Sequence, residues 1–155
     1  MQIDPSAFND LTRDILGGAI EVHRTLGPGL LESIYMPCLQ FELAARKLRF
    51  TVQRTIAITY KGIPLDACYR VDLIVEDLVV VELKSVAALT PVHQAQALTY
   101  LRLTGCPIGL LINFNVVRLM DGAKRLINAR AVDGRVVGVQ GTGTNIIANT
   151  TEAAE

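Results

Sequence analysis

The chain has 155 residues, half of them hydrophobic, and its 15 basic side chains balance its 15 acidic ones. That length supports one domain with its own core and no need of disulfides. Zero formal charge argues against strong, indiscriminate binding to nucleic acid, and the longest apolar runs fall far short of a membrane span. No signal peptide is expected at the polar start Met1-Gln2-Ile3-Asp4. Cys38, Cys68 and Cys106 are scattered, odd in number and without CxxC spacing, so they suggest a reducing cytoplasm and carry no zinc or disulfide signal.

Leu11, Ile15, Ala19, Val22 and Leu26 recur at steps of three and four, which predicts an amphipathic helix stopped by Gly27-Pro28-Gly29. His23, near its end, reads as a helix cap or a packed side chain. A second helical pattern runs from about Leu30 to Lys47 with Leu31, Ile34, Cys38 and Ala45 on one side. Pro37 inside it predicts a kink or a restart that leaves Pro37 near a first turn. Glu32 and Tyr35, three apart, would share a face. Arg46, Lys47, Arg49, Arg54 and Lys61 form a basic run without an acid, expected as a solvated helix end and strand edge rather than a phosphate-facing strip. Phe50 to Tyr60 is rich in β-branched residues and reads as a first strand, turned at Lys61-Gly62.

A second strand is expected from near Leu65 to Val75 and a third over Val79 to Ser85, flanking an acidic break at Glu76-Asp77. The three strands read as an antiparallel meander. Charges interrupt this apolar stretch at Asp72, Glu82 and Lys84. Glu82 and Lys84 lie two apart and project from one side of the strand, an expensive placement unless the pair is neutralised or binds something. Two carboxylates beside a lysine could hold a hard divalent cation next to a reacting oxygen. That requires Asp72 to stand opposite Glu82, which a two-residue loop forbids and a three-residue turn or a bulge allows. The alternative is a solvated Glu82–Lys84 salt bridge.

Thr90-Pro91 supplies an N-cap and first residue for a helix running to about Thr104, ended by Gly105 and Pro107. His93, Gln96 and Tyr100 fall on one of its faces. Ile108 to Phe114 predicts a buried strand, Asn115 a turn, and Val116 to Met120 an edge strand, after which Asp121-Gly122 turns into Lys124 to Ile127. From about Asn128 the pattern fades, with one short hairpin expected near Gly134. The residues thus predict an α/β domain over 1–128 and an irregular tail over 129–155.

Asp72 followed by Glu82-Leu83-Lys84 on the next strand, within the order helix, helix, three strands, helix, strand, resembles the core of the PD-(D/E)XK nuclease superfamily. Within it the chain resembles the GxxExxY family, whose motif stands here as Gly29-Leu30-Leu31-Glu32-Ser33-Ile34-Tyr35. Ile20 to Pro28, Tyr69-Arg70-Val71-Asp72, Leu89 to His93 and Gly109 to Asn115 are also similar to that family, over about Leu11 to Asn128. The resemblance implies a restriction-endonuclease-like fold, a mixed central sheet flanked by helices.

The resemblance also implies chemistry. Asp72, Glu82 and Glu32 would be metal ligands for Mg²⁺ or Mn²⁺, and Lys84 would activate the attacking water and stabilise developing charge. Gln96 and Tyr100 are similar to a QxxxY element that places the strand being cut. Tyr35, Arg70 and His93 join them as expected substrate contacts, and Cys68 is expected to pack. The implied activity is metal-dependent hydrolysis of nucleic acid, DNA favoured, in the cytoplasm, away from membranes, with a homo-oligomer or a partner to grip a duplex. The alternative is a catalytically silent nuclease-fold domain that binds nucleic acid or protein.

Overall fold

The computed structural model describes residues 4–129. They form a five-stranded sheet with helices on both faces, and the order of strands in space is their order in the chain. The expected irregular tail and its hairpin near Gly134 lie outside the described residues, which end at Ala129.

A 3-10 turn over Pro5–Phe8 leads into α1 (Asn9–Leu26), which buries Ile15, Ala19 and Val22 and stops at Gly27, whose φ of 73° only glycine adopts without strain. The second helix, α2, spans Glu32–Ala45 without a break at Pro37, its sixth residue. The expected restart there is therefore not found. Its buried stripe is Tyr35, Leu39 and Leu43, not the face of Leu31, Ile34, Cys38 and Ala45. The helix is apolar nearly all round, so periodicity alone does not choose a face. What chooses it is the Tyr35 hydroxyl, which donates to the Gly27 carbonyl at 2.6 Å and accepts from the Leu30 amide at 3.2 Å while its ring stacks on Phe114.

Strands β1 (Phe50–Tyr60) and β2 (Ile63–Val75) make a long antiparallel hairpin, and β3 (Val79–Lys84) completes the expected meander. Helix α3 (Pro91–Thr104) then crosses the sheet, so that β4 (Ile108–Asn113) lies parallel to β3. Because β3 and β4 are covered on both faces they are mostly apolar, Glu82, Lys84 and Asn113 being the polar exceptions, and every residue of β4 is buried. One core cluster joins Leu73, Val75, Val79, Val81 and Leu83 to α1 and α2; the other joins Val71, Ile74 and Val80 to Tyr100 and Leu101 of α3.

The edge strand comes later than predicted. Residues 115–118 are bends, Leu119–Gly122 is a 3-10 turn, and β5 is Ala123–Ile127, antiparallel to β4. Two contacts keep the Val116 segment out of the sheet. The Val116 carbonyl pairs with Nε2 of buried His23 at 2.7 Å, and the Asn115 amide donates to the Asn113 side chain. Arg46, Arg49 and Arg54 of the basic run pair with Glu42, Glu76 and Asp77; the Arg49 side chain is exposed as expected, whereas that of Arg54 is almost wholly buried. Cys68 is exposed on the outer half of the hairpin instead of packed.

Candidate active site

The turn between β2 and β3 decides the site. Val75 pairs with Val79 across three residues, Glu76-Asp77-Leu78, of which Glu76 and Asp77 are left-handed (φ 55° and 56°). The odd-length turn needed to set Asp72 opposite Glu82 is present. The ladder itself ends one step earlier, at Leu73↔Val81. Beyond it the strands fork, and side chains replace the missing backbone bonds. The Asp72 amide donates to Glu82 Oε1 at 2.9 Å, and the Leu83 amide donates to Asp72 Oδ2 at 2.9 Å. Each carboxylate thus has one oxygen held by the opposing backbone.

This placement is electrostatically costly. Glu82 is only 5% exposed, and burial, then the nearby Asp72 charge, push its carboxyl up to about 8 against the opposing pull of the Asp72 amide and Lys84. Two facing carboxylates that resist carrying both charges are a donor set suited to a hard cation: all oxygen, pre-organised, and short of positive charge. Lys84 follows on β3 and its ammonium reaches Gln96 Oε1 on α3 at 3.5 Å. Tyr100, one turn further on, is buried edge-on against Tyr69, its hydroxyl pushed up to about 12 by burial and by the Glu82 and Asp72 charges. Asp72, Glu82, Lys84, Gln96 and Tyr100 therefore meet at the fork.

Glu32 approaches from the other side. It shares a cleft of about 380 Å³ with Ser33, Met36, Pro37, Gln53, Asp72 and Leu83. Among the described residues no three acidic, histidine or cysteine side chains stand close enough to hold an ion together. Glu32 opens α2 and shares that cleft with Asp72 of the fork.

Three expected substrate contacts have other surroundings. Tyr35 is fully buried and cannot touch a substrate; it fastens the loop before α2, and Ser85, directly after Lys84, fastens the same loop by donating to the Leu30 carbonyl. Gly29 (φ 95°) allows the turn, Tyr35 pins it, and Glu32 is carried to the cleft. His93 uses Nδ1 to accept from the Thr90 amide, completing a capping box on α3. Arg70 lies on the exposed part of the hairpin opposite Thr55, two residues from Asp72.

Two residues escaped the sequence reading. Asn113, buried at the end of β4, accepts from the Val86 amide and donates to the Val86 carbonyl, both at 3.0 Å, and so holds the segment that follows Lys84. Gln53 stands opposite Asp72 on β1 with φ 53°, and its side-chain amide lies 3.4 Å from Asp72 Oδ1. Nothing in the alternation of Phe50, Val52, Ile56 and Ile58 marks Gln53. A polar residue ending a buried strand was the signal for Asn113.

No helix of the described residues is long and apolar enough to cross a membrane. No curated protein and no solved structure matches the chain. One protein-family model does match, over residues 9–126, a span that takes in the whole fork and the cleft beside it; it describes the PD-(D/E)XK nuclease superfamily.

Proposed function

The chain belongs to the PD-(D/E)XK nuclease superfamily, and from that premise we propose that it is a metal-dependent nuclease of the GxxExxY branch, hydrolysing phosphodiester bonds of nucleic acid, DNA by preference. The observation that carries this reading is the fork: Asp72 and Glu82 face one another with Lys84 beside them. Asp72 and Glu82 would hold Mg²⁺ or Mn²⁺, and Glu32 across the cleft would orient water around it. A bound divalent ion supplies positive charge at the scissile phosphate and an acidified water. Lys84, steered by Gln96, sets the attacking water and balances charge that grows on the phosphorus oxygens. Tyr100 and Arg70 flank the route of the strand. The three free cysteines accord with a cytoplasmic place of work.

Calorimetric titration of Mn²⁺ into the chain and into Glu82→Ala tests the centre, with binding expected in the first and lost in the second. Lys84→Ala is expected to keep the bound ion and lose cleavage of DNA by at least about 100-fold, as removal of a transition-state donor does. A Lys84→Ala variant that cuts as fast as the parent sinks the assignment.

A second reading has its own support. Zero net charge, with Arg46, Arg49 and Arg54 engaged by acids, leaves little cationic surface to grip a duplex. On that reading the chain is a silent binding module, or acts as a homo-oligomer or with a partner. Affinity for DNA that falls steeply with salt argues for the nuclease; affinity indifferent to salt argues for the module.

A further inference from the structure

The β1–β2 hairpin does something at Gln53 and Asp72 that ladder register alone does not reveal. Between the turn and the fork, Leu73 and Val75 face α1 and α2, and Phe50 of β1 packs on that same cluster. Beyond the fork, Val71 and Ile56 belong to the α3 cluster. Leu73 and Val71 are two apart, as are Val52 and Arg54 opposite them, so strict alternation would keep each pair on one face. The cross-strand register does not slip here: Val52↔Leu73 and Arg54↔Val71 keep the same offset. Both strands therefore turn over together, at Gln53 and Asp72, the one opposed pair in this stretch that makes no ladder contact.

The cause is visible in the backbone. Gln53 has φ 53°, a left-handed conformation that costs a non-glycine residue about 1 kcal/mol or more and that has no place in an ordinary strand. The consequence falls on Asp72. Its side chain enters the fork, where Leu83 holds Oδ2 and the Gln53 amide approaches Oδ1.

We propose that Gln53 is a positioning residue for the carboxylate centre: its left-handed backbone turns the hairpin over, and its side-chain amide aims the Asp72 oxygen that the sheet leaves uncommitted. The proposal rests on the reading of Asp72 and Glu82 as cation ligands. Gln53 itself touches neither ion nor substrate in this role. Its effect is on how well Asp72 is pre-aimed, as outer-shell partners of ligating carboxylates act.

The experiment is calorimetric titration of Mn²⁺ into the parent, Glu82→Ala, Gln53→Gly and Thr55→Ala, each with its thermal midpoint. Glycine tolerates the positive φ and removes the side chain, its amide included. The expected result is affinity weakened roughly 10- to 100-fold in Gln53→Gly, a midpoint within about 5 °C of the parent, and parental affinity in Thr55→Ala. A merely structural role would move the midpoint and leave affinity alone. Parental affinity in Gln53→Gly, or an equal loss in Thr55→Ala, overturns the inference while the cation site stands. Absence of binding in the parent, or binding undiminished in Glu82→Ala, overturns the underlying reading and this inference with it.

Discussion

Glu82 is the residue most at odds with its surroundings, and its titration is the most direct handle on them. A carboxyl whose folded value, about 8, lies above its unfolded one, 4.5, favours the fold only while protonated. Its contribution is complete below about pH 4.5 and is lost as pH rises through about 8. Without divalent ions the thermal midpoint should therefore fall across that window. Glu82→Gln, neutral throughout, should flatten the slope, and Mn²⁺ should offset the loss at the alkaline end. A slope identical in parent and Glu82→Gln would refute this. Tyr35 offers a second test at this scale. Tyr35→Phe leaves the Leu30 amide and Gly27 carbonyl without their partner, so urea denaturation should show a loss of about 1–3 kcal/mol. An unchanged stability would mean that the hydroxyl does not fasten the loop.

Among the elements, those set by local signals were legible in the sequence. Thr90-Pro91 and Gly105 bound α3 as written, and the β-branched runs gave β1 to β3. Asp72, Glu82 and Lys84 were legible because charge in an apolar strand demands a reason. The face of α2 and the edge strand were not, because both are settled by partners outside the element: Gly27, Leu30 and Phe114 for Tyr35, His23 for the Val116 segment. Gln53 lay hidden for a related reason, since a positive φ leaves no mark in a residue type that seldom adopts one. The 3-10 turn that displaced the expected strand is itself tightly seated. A Cβ on Gly122 would stand 2.3 Å from the Asn113 carbonyl oxygen, so Gly122→Ala must shift backbone that bears on Asn113 and Val86. A loss of about 2–4 kcal/mol is expected in equilibrium unfolding; a loss under about 0.5 kcal/mol would show the turn to be free to move.

At the scale of the molecule, stability is unevenly spread. Strands β3 and β4 are covered on both faces, whereas the β1–β2 hairpin from Ile63 to Arg70 is exposed. Hydrogen exchange should be slowest in Val79 to Leu83 and Ile108 to Ile112, and faster by orders of magnitude at Ile63 to Arg70. Equal protection in the two regions would mean that something covers the hairpin in solution. The fork sits at the boundary between these regimes, with Glu82 and Lys84 on the rigid strand and Asp72 where the hairpin leaves it.

That boundary bears on what mutation can erase. The carboxylates of Asp72 and Glu82 close hydrogen bonds that the sheet would otherwise leave open, so an Asp72→Ala chain forfeits a partner for the Leu83 amide as well as a ligand. A lineage that gave up cleavage would still be held to an oxygen acceptor at both positions, acid or amide, by the demands of folding. The Lys84 side chain carries no such backbone duty among the described residues, its one hydrogen bond being the long reach to Gln96. Drift would remove the lysine first. In this architecture the two acids are poor witnesses to an ancestral trade, and the lysine is the residue whose survival speaks for selection on chemistry.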